Sequence, residues 1–232
     1  MPALEAARLH IEPIEADIGL KGRIYDRLKQ AITAVNIYAE NAELRLDERR
    51  LALKLATSRT PIREALARLE QEGLVQIVPR KGVFIVRKSK AEILEMIMVW
   101  AALEGMAARL VTENASDAEI ASLRQMFTTF KNGQVRARID EYSDANVRFH
   151  QAILTLGKSR LLREMADHLF VHMRSIRTRT IGESNRANRS IIDHLHIIEA
   201  IEARDADLAE RLVREHTLNL ANHVRDNVHY LD

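Results

Sequence analysis

The stretch Thr57–Val86, TSRTPIREALARLEQEGLVQIVPRKGVFIV, constrains the fold more than any other part of this chain, because inside it the apolar period changes from helical to extended. Thr60 can accept a hydrogen bond from the free backbone N–H groups that open a helix, and Pro61 sits where a missing N–H costs nothing. Ile62, Ala65, Leu66 and Leu69 recur at the three-and-four spacing of one buried face, which leaves Arg59, Arg63 and Arg68 on the other side. Gly73 closes the helix. LVQIV and VFIV follow as two short β-branched strands joined across Pro79-Arg80-Lys81-Gly82.

A helix with arginines at its N-terminal end, preceded by a short helix and followed by a basic hairpin, has winged helix-turn-helix geometry. Its first turn enters the major groove, where arginine bonds guanine O6 and N7 bidentately, while Arg80 and Lys81 at the hairpin tip lie over phosphates or reach the minor groove. The plain alternative is an amphipathic helix with a solvated basic face; the Thr-Pro start, the hairpin and the wing glycine together weigh against it. Upstream, Ile24, Leu28, Ile32 and Val35 mark a first helix from Leu20 to about Tyr38. A second runs from the capping residue Asp47 through Leu51 and Leu55 to Ala56. Residues 1–19, mixed polar with Pro2 and Pro13, read as a loosely held arm.

Charge follows the same division. From Arg45 to Lys88 eleven lysines and arginines face five acidic residues, a surplus of six in 44 residues, while the whole chain carries +2, so the remainder sums to about −4. With 232 residues there is room for two domains, each able to bury a core. An apolar fraction of 47% with only 8 Gly and 4 Pro points to a mainly α chain. The absence of cysteine excludes disulfides and thiolate metal sites. There is no apolar run of about 18 residues and no leader pattern, so the expected setting is cytoplasmic, without a membrane partner.

Beyond Lys88 the chain reads as helical throughout. Ser89-Lys90-Ala91-Glu92 and Ser116-Asp117-Ala118-Glu119 are capping boxes, and Gly133, Gly157 and the Arg204-Asp205 turn suit helix ends. Six helices are expected, roughly over 90–113, 117–131, 136–156, 160–179, 186–203 and 206–228, forming an all-α bundle. On the third, Ile139, Tyr142, Val147, Ile153 and Leu154 draw an apolar face into which Asn146 and His150 point one turn apart, with Arg148 outward. On the fifth, Ile191, Leu195, Ile198 and Ile201 turn His194 inward and His196 outward; on the sixth, His216 lies amid Ala209, Leu212, Val213 and Leu220. On the fourth, Leu161, Met165, Leu169 and Ile176 draw a face that takes in His172, with His168 at its edge.

If the last two helices run antiparallel about Asp205, His194 and His216 stand at one height, about 16 Å from the turn at 1.5 Å per residue. Buried imidazoles need partners. Three of them with an amide, converging from three helices, suit a divalent transition metal; a set of core histidines bonded to carbonyls or to each other is the alternative.

Residues 20–87 resemble the winged-helix domain of the GntR family of bacterial transcription regulators, on the strength of LDERRLALKLATSRTPIREALARLEQEGLVQIVPRKGVFIV. The resemblance implies DNA contacts at Arg49, Ser58, Arg59, Thr60, Arg63 and Gly82, beside the wing-tip Arg80 and Lys81. Asn41-Ala42-Glu43 departs from the family's usual proline-glycine turn. NVRFHQAI, IIDHLHIIEAIEARDADLAERLVREH and WAALEGMAARLV resemble the FCD effector domain of the FadR branch, which makes 88–232 the effector-binding and dimerisation domain; six helices match the shorter, VanR-like form. The resemblance puts metal ligands at Asn146, His150, His194 and His216, with Asn146 where an aspartate is commonest. The expected ion is zinc, with nickel or manganese as alternatives. Trp100 stands where an effector-binding arginine is common, and Trp100, Glu104 and His172 are the candidate effector-pocket residues.

Two function classes follow. One is a homodimeric transcription regulator, expected to act as a repressor, that binds an inverted repeat in double-stranded DNA and answers to a small carboxylate effector held beside the metal. The other is a metal-dependent enzyme on a helical bundle. No Glu-x-x-His or His-Glu-x-x-His pair occurs and no acidic residue is placed as a general base, so the expectation is a regulator and not an enzyme.

Overall fold

A computed structural model describes residues 19–39, 42–130 and 135–231. Residues 1–18 of the expected arm, Asn41 and Gly133 lie outside them; Gly19 opens α1 (Gly19–Ala34), which buries Ile24, Tyr25, Leu28 and Ile32 on one face. Helix α2 (Glu48–Lys54) starts where Asp47 accepts the N–H groups of Arg49 and Arg50 at 2.8 and 2.9 Å.

The recognition helix α3 (Arg59–Gln71) is capped at Ser58 and not at Thr60, which lies inside the first turn. The Ser58 hydroxyl makes no capping bond. Pro61 is still within the first four residues, whose N–H groups have no intrahelical acceptor, so the proline fits at either register. Ile62, Leu66 and Leu69 are wholly buried beneath it. Gly73, at φ +72°, ends the helix, with N–H bonds from Gly73 to the Glu70 carbonyl (2.9 Å) and from Leu74 to that of Leu69 (3.0 Å).

The wing has three strands where two were expected. β2 (Val75–Val78) and β3 (Gly82–Ile85) pair antiparallel with Val75 opposite Ile85 and Val78 opposite Gly82, and β1 (Arg45–Leu46) adds to the free edge of β3. A two-residue strand is too short to show a period, which is why the sequence does not betray it.

The remaining described residues form six helices: α4 (Lys90–Asn114), α5 (Asp117–Gln125), α6 (Ile139–Leu156), α7 (Arg160–Thr180), α8 (Arg186–Glu202) and α9 (Ala206–Asn227). Both capping boxes form as expected, at Ser89/Glu92 and Ser116/Glu119. α5 stops six residues short of the expected end and gives way to a 3₁₀ turn at Thr128–Phe130, which turns Phe127 and Phe130 against Tyr142. Gly105 lets α4 lie close along α9; a Cβ there would stand 3.4 Å from the Glu210 carbonyl oxygen. The α7 stripe departs from expectation, since Leu161 and Met165 are 64% and 51% exposed while Leu162, Ala166, Met173 and Thr180 face the core.

Candidate DNA-reading surface and buried histidine cluster

At the reading surface Arg49, Ser58, Arg59, Thr60, Arg63, Arg80 and Lys81 are exposed, and Gly82 is partly so. A groove of about 640 Å³ runs between α2, the start of α3 and the wing, lined by Arg45, Arg49, Arg59, Arg63, Arg80 and Lys81. Glu48 orders two of these: its carboxylate accepts from Arg59 Nη2 at 2.9 Å and lies 3.8 Å from Arg63 Nε. Arg68 plays a different part. Its guanidinium stacks on the Tyr25 ring at 3.7 Å and so ties α3 to α1.

Deep in the bundle, α6, α8 and α9 bring His150, His194 and His216 together, with nitrogens that all lie within 4.8 Å of one another. The His194 and His216 rings are 4.7 Å apart between centroids, as the equal offsets from Asp205 require. Asn146, one turn before His150, is 1% exposed and its Oδ1 has no hydrogen-bond partner; His194 Nε2 has none either. Two unpaired buried polar atoms beside three imidazoles are the mark of a site that fits a cation, because such atoms are costly unless something completes them.

The other ring nitrogens are held from outside. His216 Nδ1 lies 2.9 Å from Asp193 Oδ2, His194 Nδ1 lies 3.2 Å from the Tyr142 hydroxyl, and His150 Nδ1 bonds Glu104 Oε1. Burial holds the His150 and His194 imidazoles well below their usual pKa; it lowers that of His216 too, against the pull of Asp193. All three are therefore neutral at pH 7, the form that binds a metal.

Trp100 and Glu104 do not line an open pocket. The Glu104 carboxylate is wholly buried and saturated by Trp100 Nε1 (3.0 Å), the Thr217 hydroxyl (2.7 Å), Arg177 Nη2 (3.3 Å) and His150. Burial pushes its pKa up while the Arg177 charge pulls it back. His172 lies away from the cluster, its Nδ1 2.8 Å from the Tyr38 hydroxyl at the boundary with the winged helix. His168 and His196 are exposed.

Sequence reasoning missed Arg177, Thr217 and Asp193. Arg177 is 3% exposed, and its Nη1 donates to His150 Nε2 at 2.6 Å. A guanidinium only donates, so Nε2 carries the lone pair and Nδ1 the proton given to Glu104; the two partners fix the tautomer. The signal was present: on a helix Arg177 falls in line with Met173 four residues before and Thr180 three after, both buried. A second cavity, about 410 Å³ and open to solvent, reaches His216 between α8 and α9 past Arg186, Arg189, Asn219 and Asn222.

A winged helix joined to a helical bundle with a buried polar cluster defines a DNA-binding transcription regulator with a separate control domain. The comparisons with known proteins agree. The model of the bacterial regulatory proteins of the gntR family matches residues 20–85, and that of the FCD domain matches residues 95–219. The chain is 24% identical over 180 residues to the HTH-type transcriptional repressor RspR of Escherichia coli, covering 78% of this chain and 79% of that one. It is 30% identical over 173 residues to the Nta operon transcriptional regulator of Aminobacter aminovorans, covering 74% and 80%. Among solved structures, E. coli McbR/YncC superposes with a TM-score of 0.73 at 23% identity over 91% of this chain and 99% of that one. A GntR regulator from Rhodococcus gives 0.68 at 17%, over 90% and 99%. This chain belongs to the GntR family and carries an FCD domain; it is a transcription regulator and not an enzyme. Among the described residues no helix is long and apolar enough to cross a membrane.

Proposed function

We propose that this protein is a cytoplasmic repressor that binds an inverted-repeat operator as a homodimer and loses affinity for it when a small organic acid enters the FCD domain beside a divalent ion. Arg49, Ser58, Arg59, Thr60 and Arg63 meet base edges and phosphates in the major groove, and Arg80, Lys81 and Gly82 meet the flanking backbone. A single winged helix makes too few base contacts for useful specificity, so two matched reading heads are needed. The exposed apolar residues Met98, Val99 and Met106 on α4, with Leu161 and Met165 on α7, favour pairing through those helices.

Asn146, His150, His194 and His216 would hold the ion, and the unpaired Asn146 Oδ1 and His194 Nε2 are the observation that carries this reading. Three imidazoles and an amide oxygen accept zinc, nickel or manganese, with zinc first. When bound, the ion supplies a Lewis-acidic centre for the oxygens of an acidic effector. An amide in place of a carboxylate leaves the site without a first negative charge, which favours a ligand that brings its own. The solvent-open cavity at His216, with Arg186 and Arg189 on its wall, suits entry of such an anion.

Elemental analysis and zinc titration of protein purified without chelator or a nickel column test the metal. One ion per chain in wild type, lost in His216→Ala and kept in His196→Ala, is expected; no stoichiometric uptake of any divalent metal would reduce the cluster to a hydrogen-bonded core.

A further inference from the structure

α7 touches two places at once. On one side Arg177 enters the histidine cluster, bonding His150, Glu104 and Thr217 (Nη2 to Oγ1, 3.2 Å). On other sides of the same helix His172, Arg174 and Arg179 grip the end of α1 and the turn after it. The Tyr38 hydroxyl bonds His172, Arg174 donates to the Thr33 carbonyl, and Arg179 donates to that of Tyr38. The Tyr38 hydroxyl also accepts the Lys88 N–H at 3.2 Å, in the segment that joins the domains, and Arg87 donates to the Ile37 and Ala39 carbonyls at 2.6 and 2.8 Å. Residues 33–39 are thus held by α7 on one side and by the joining segment on the other.

The chemistry at His150 permits one occupant. Its Nδ1 proton is committed to Glu104, so Nε2 has a single lone pair, and that lone pair accepts from Arg177. A metal ion needs the same electrons. The positive guanidinium also repels an incoming cation at short range in a dry site. Arg177 is buried and its Nε has no partner, so among the described residues the hydrogen bonds that hold its guanidinium are those to His150, Glu104 and Thr217. Leaving His150 means swinging about Glu104, against α4 and α6, which bear on α7.

We propose that Arg177 is the switch between the histidine cluster and the DNA-binding domain: its guanidinium and a metal ion compete for the lone pair on His150, and its displacement shifts the helix that holds residues 33–39. The proposal rests on the metal reading above and adds to it a named competitor and a route. Allostery of this kind needs an element with two arrangements that both sites bias, and α7 is that element.

Zinc affinity is measured by chelator competition in full-length wild type, Arg177→Met and Tyr38→Phe, and hydrogen exchange is followed in residues 33–39 with and without zinc. Arg177→Met should bind zinc about tenfold or more tightly than wild type, the scale of one charged hydrogen bond removed from competition. Zinc should raise exchange in residues 33–39 of wild type, and Arg177→Met should raise it without zinc. Tyr38→Phe should bind zinc within about twofold of wild type while its 33–39 exchange is already high and indifferent to the ion. Zinc bound by Arg177→Met alone would show that the guanidinium keeps the ion out of the native chain, and would overturn the switch. Equal zinc affinity in wild type and Arg177→Met, or unchanged 33–39 exchange in protein shown to hold zinc, would overturn the switch and leave the metal site standing. No zinc uptake by either protein would overturn both switch and metal site. If Arg177→Met does not fold, Arg177→Lys, which lacks the planar fork, should still bind zinc more tightly, and the wild-type exchange measurement needs no variant.

Discussion

The arginines of the reading surface and the arginine of the bundle sit in opposite surroundings. The Arg59 and Arg63 side chains are 53% and 70% exposed and share one carboxylate, Glu48, whereas the Arg177 side chain is 4% exposed and faces a carboxylate, a hydroxyl and an imidazole. Water screens the first pair, so their charge is available to a phosphate or a guanine and contributes little to folding. The second is desolvated, and its charge is tolerable only while every partner stays in place. One region leaves its charge in water; the other holds it among fixed partners. Substitution at the two places should therefore separate stability from binding.

The largest separation is expected at Glu104. Glu104→Ala removes the carboxylate bonded to Arg177 and strands the Trp100 and Thr217 donors, so urea unfolding should show a loss of about 3–5 kcal/mol. A loss below about 1 kcal/mol would mean that water already reaches the pair, and the contrast with the reading surface would fail.

Acid should act on the same side of the contrast. The His172 pKa falls from about 6.5 to about 4 through burial, and those of His150 and His194 fall well below 6.5 for the same reason. Above pH 6.5 both folded and unfolded chains hold these rings neutral and stability is full. Below it the unfolded chain takes up protons that the folded one refuses, so stability falls as the pH drops below about 6.5, for His172 down to about 4. Each such ring adds a slope of about 1.4 kcal/mol per pH unit. Urea midpoints that stay level from pH 7 to pH 5 would show the rings to be solvated. Arg59→Ala should leave this slope untouched.

At the reading surface the effect moves to binding. Arg59→Ala should weaken the specific complex by about 1–3 kcal/mol, measured by anisotropy at fixed salt, with an unfolding midpoint near wild type. An equal loss on random DNA would make Arg59 a phosphate contact instead of a base reader.

The two regions also differed in how far they could be read in advance. The face of α3 is local: four apolar residues within eight positions set it, and the structure buries all four. The pairing of His194 with His216 was legible because a hairpin turn makes offset along the chain equal height in space. Arg177 was not. Its helix offers Arg174, Arg177 and Arg179 within six residues, and what selects the middle one is Glu104, 73 positions away on α4. The α7 stripe was misdrawn for a related reason, since Leu161 and Met165 are apolar but exposed and Ala166 is small but buried. Apolar residues mark a core face only when no other surface claims them, and α7 borders both the winged helix and open surface. The cap at Ser58 in place of Thr60 is a smaller miss, with two hydroxyl residues two apart and neither register costing the proline anything.

The smallest effects should fall at the wing tip, where two adjacent cations differ in backbone. Arg80 sits at φ 65°, a conformation that costs a residue with a Cβ about 1 kcal/mol and glycine almost nothing, while Lys81 has no such strain and its N–H closes the turn onto the Val78 carbonyl at 3.0 Å. Arg80→Gly should remove one charge and relax the turn; Lys81→Ala should remove one charge only. Both should lower the slope of log affinity against log salt by about one, on specific and random DNA alike, if each side chain meets one phosphate. Only Arg80→Gly should also raise the melting temperature, by a few degrees at most for about 1 kcal/mol. A salt slope unchanged in both variants would remove the wing tip from the DNA contact and confine reading to α2 and α3. A melting temperature that falls in Arg80→Gly would mean that the arginine side chain, exposed as it is, holds the turn more firmly than its backbone strains it.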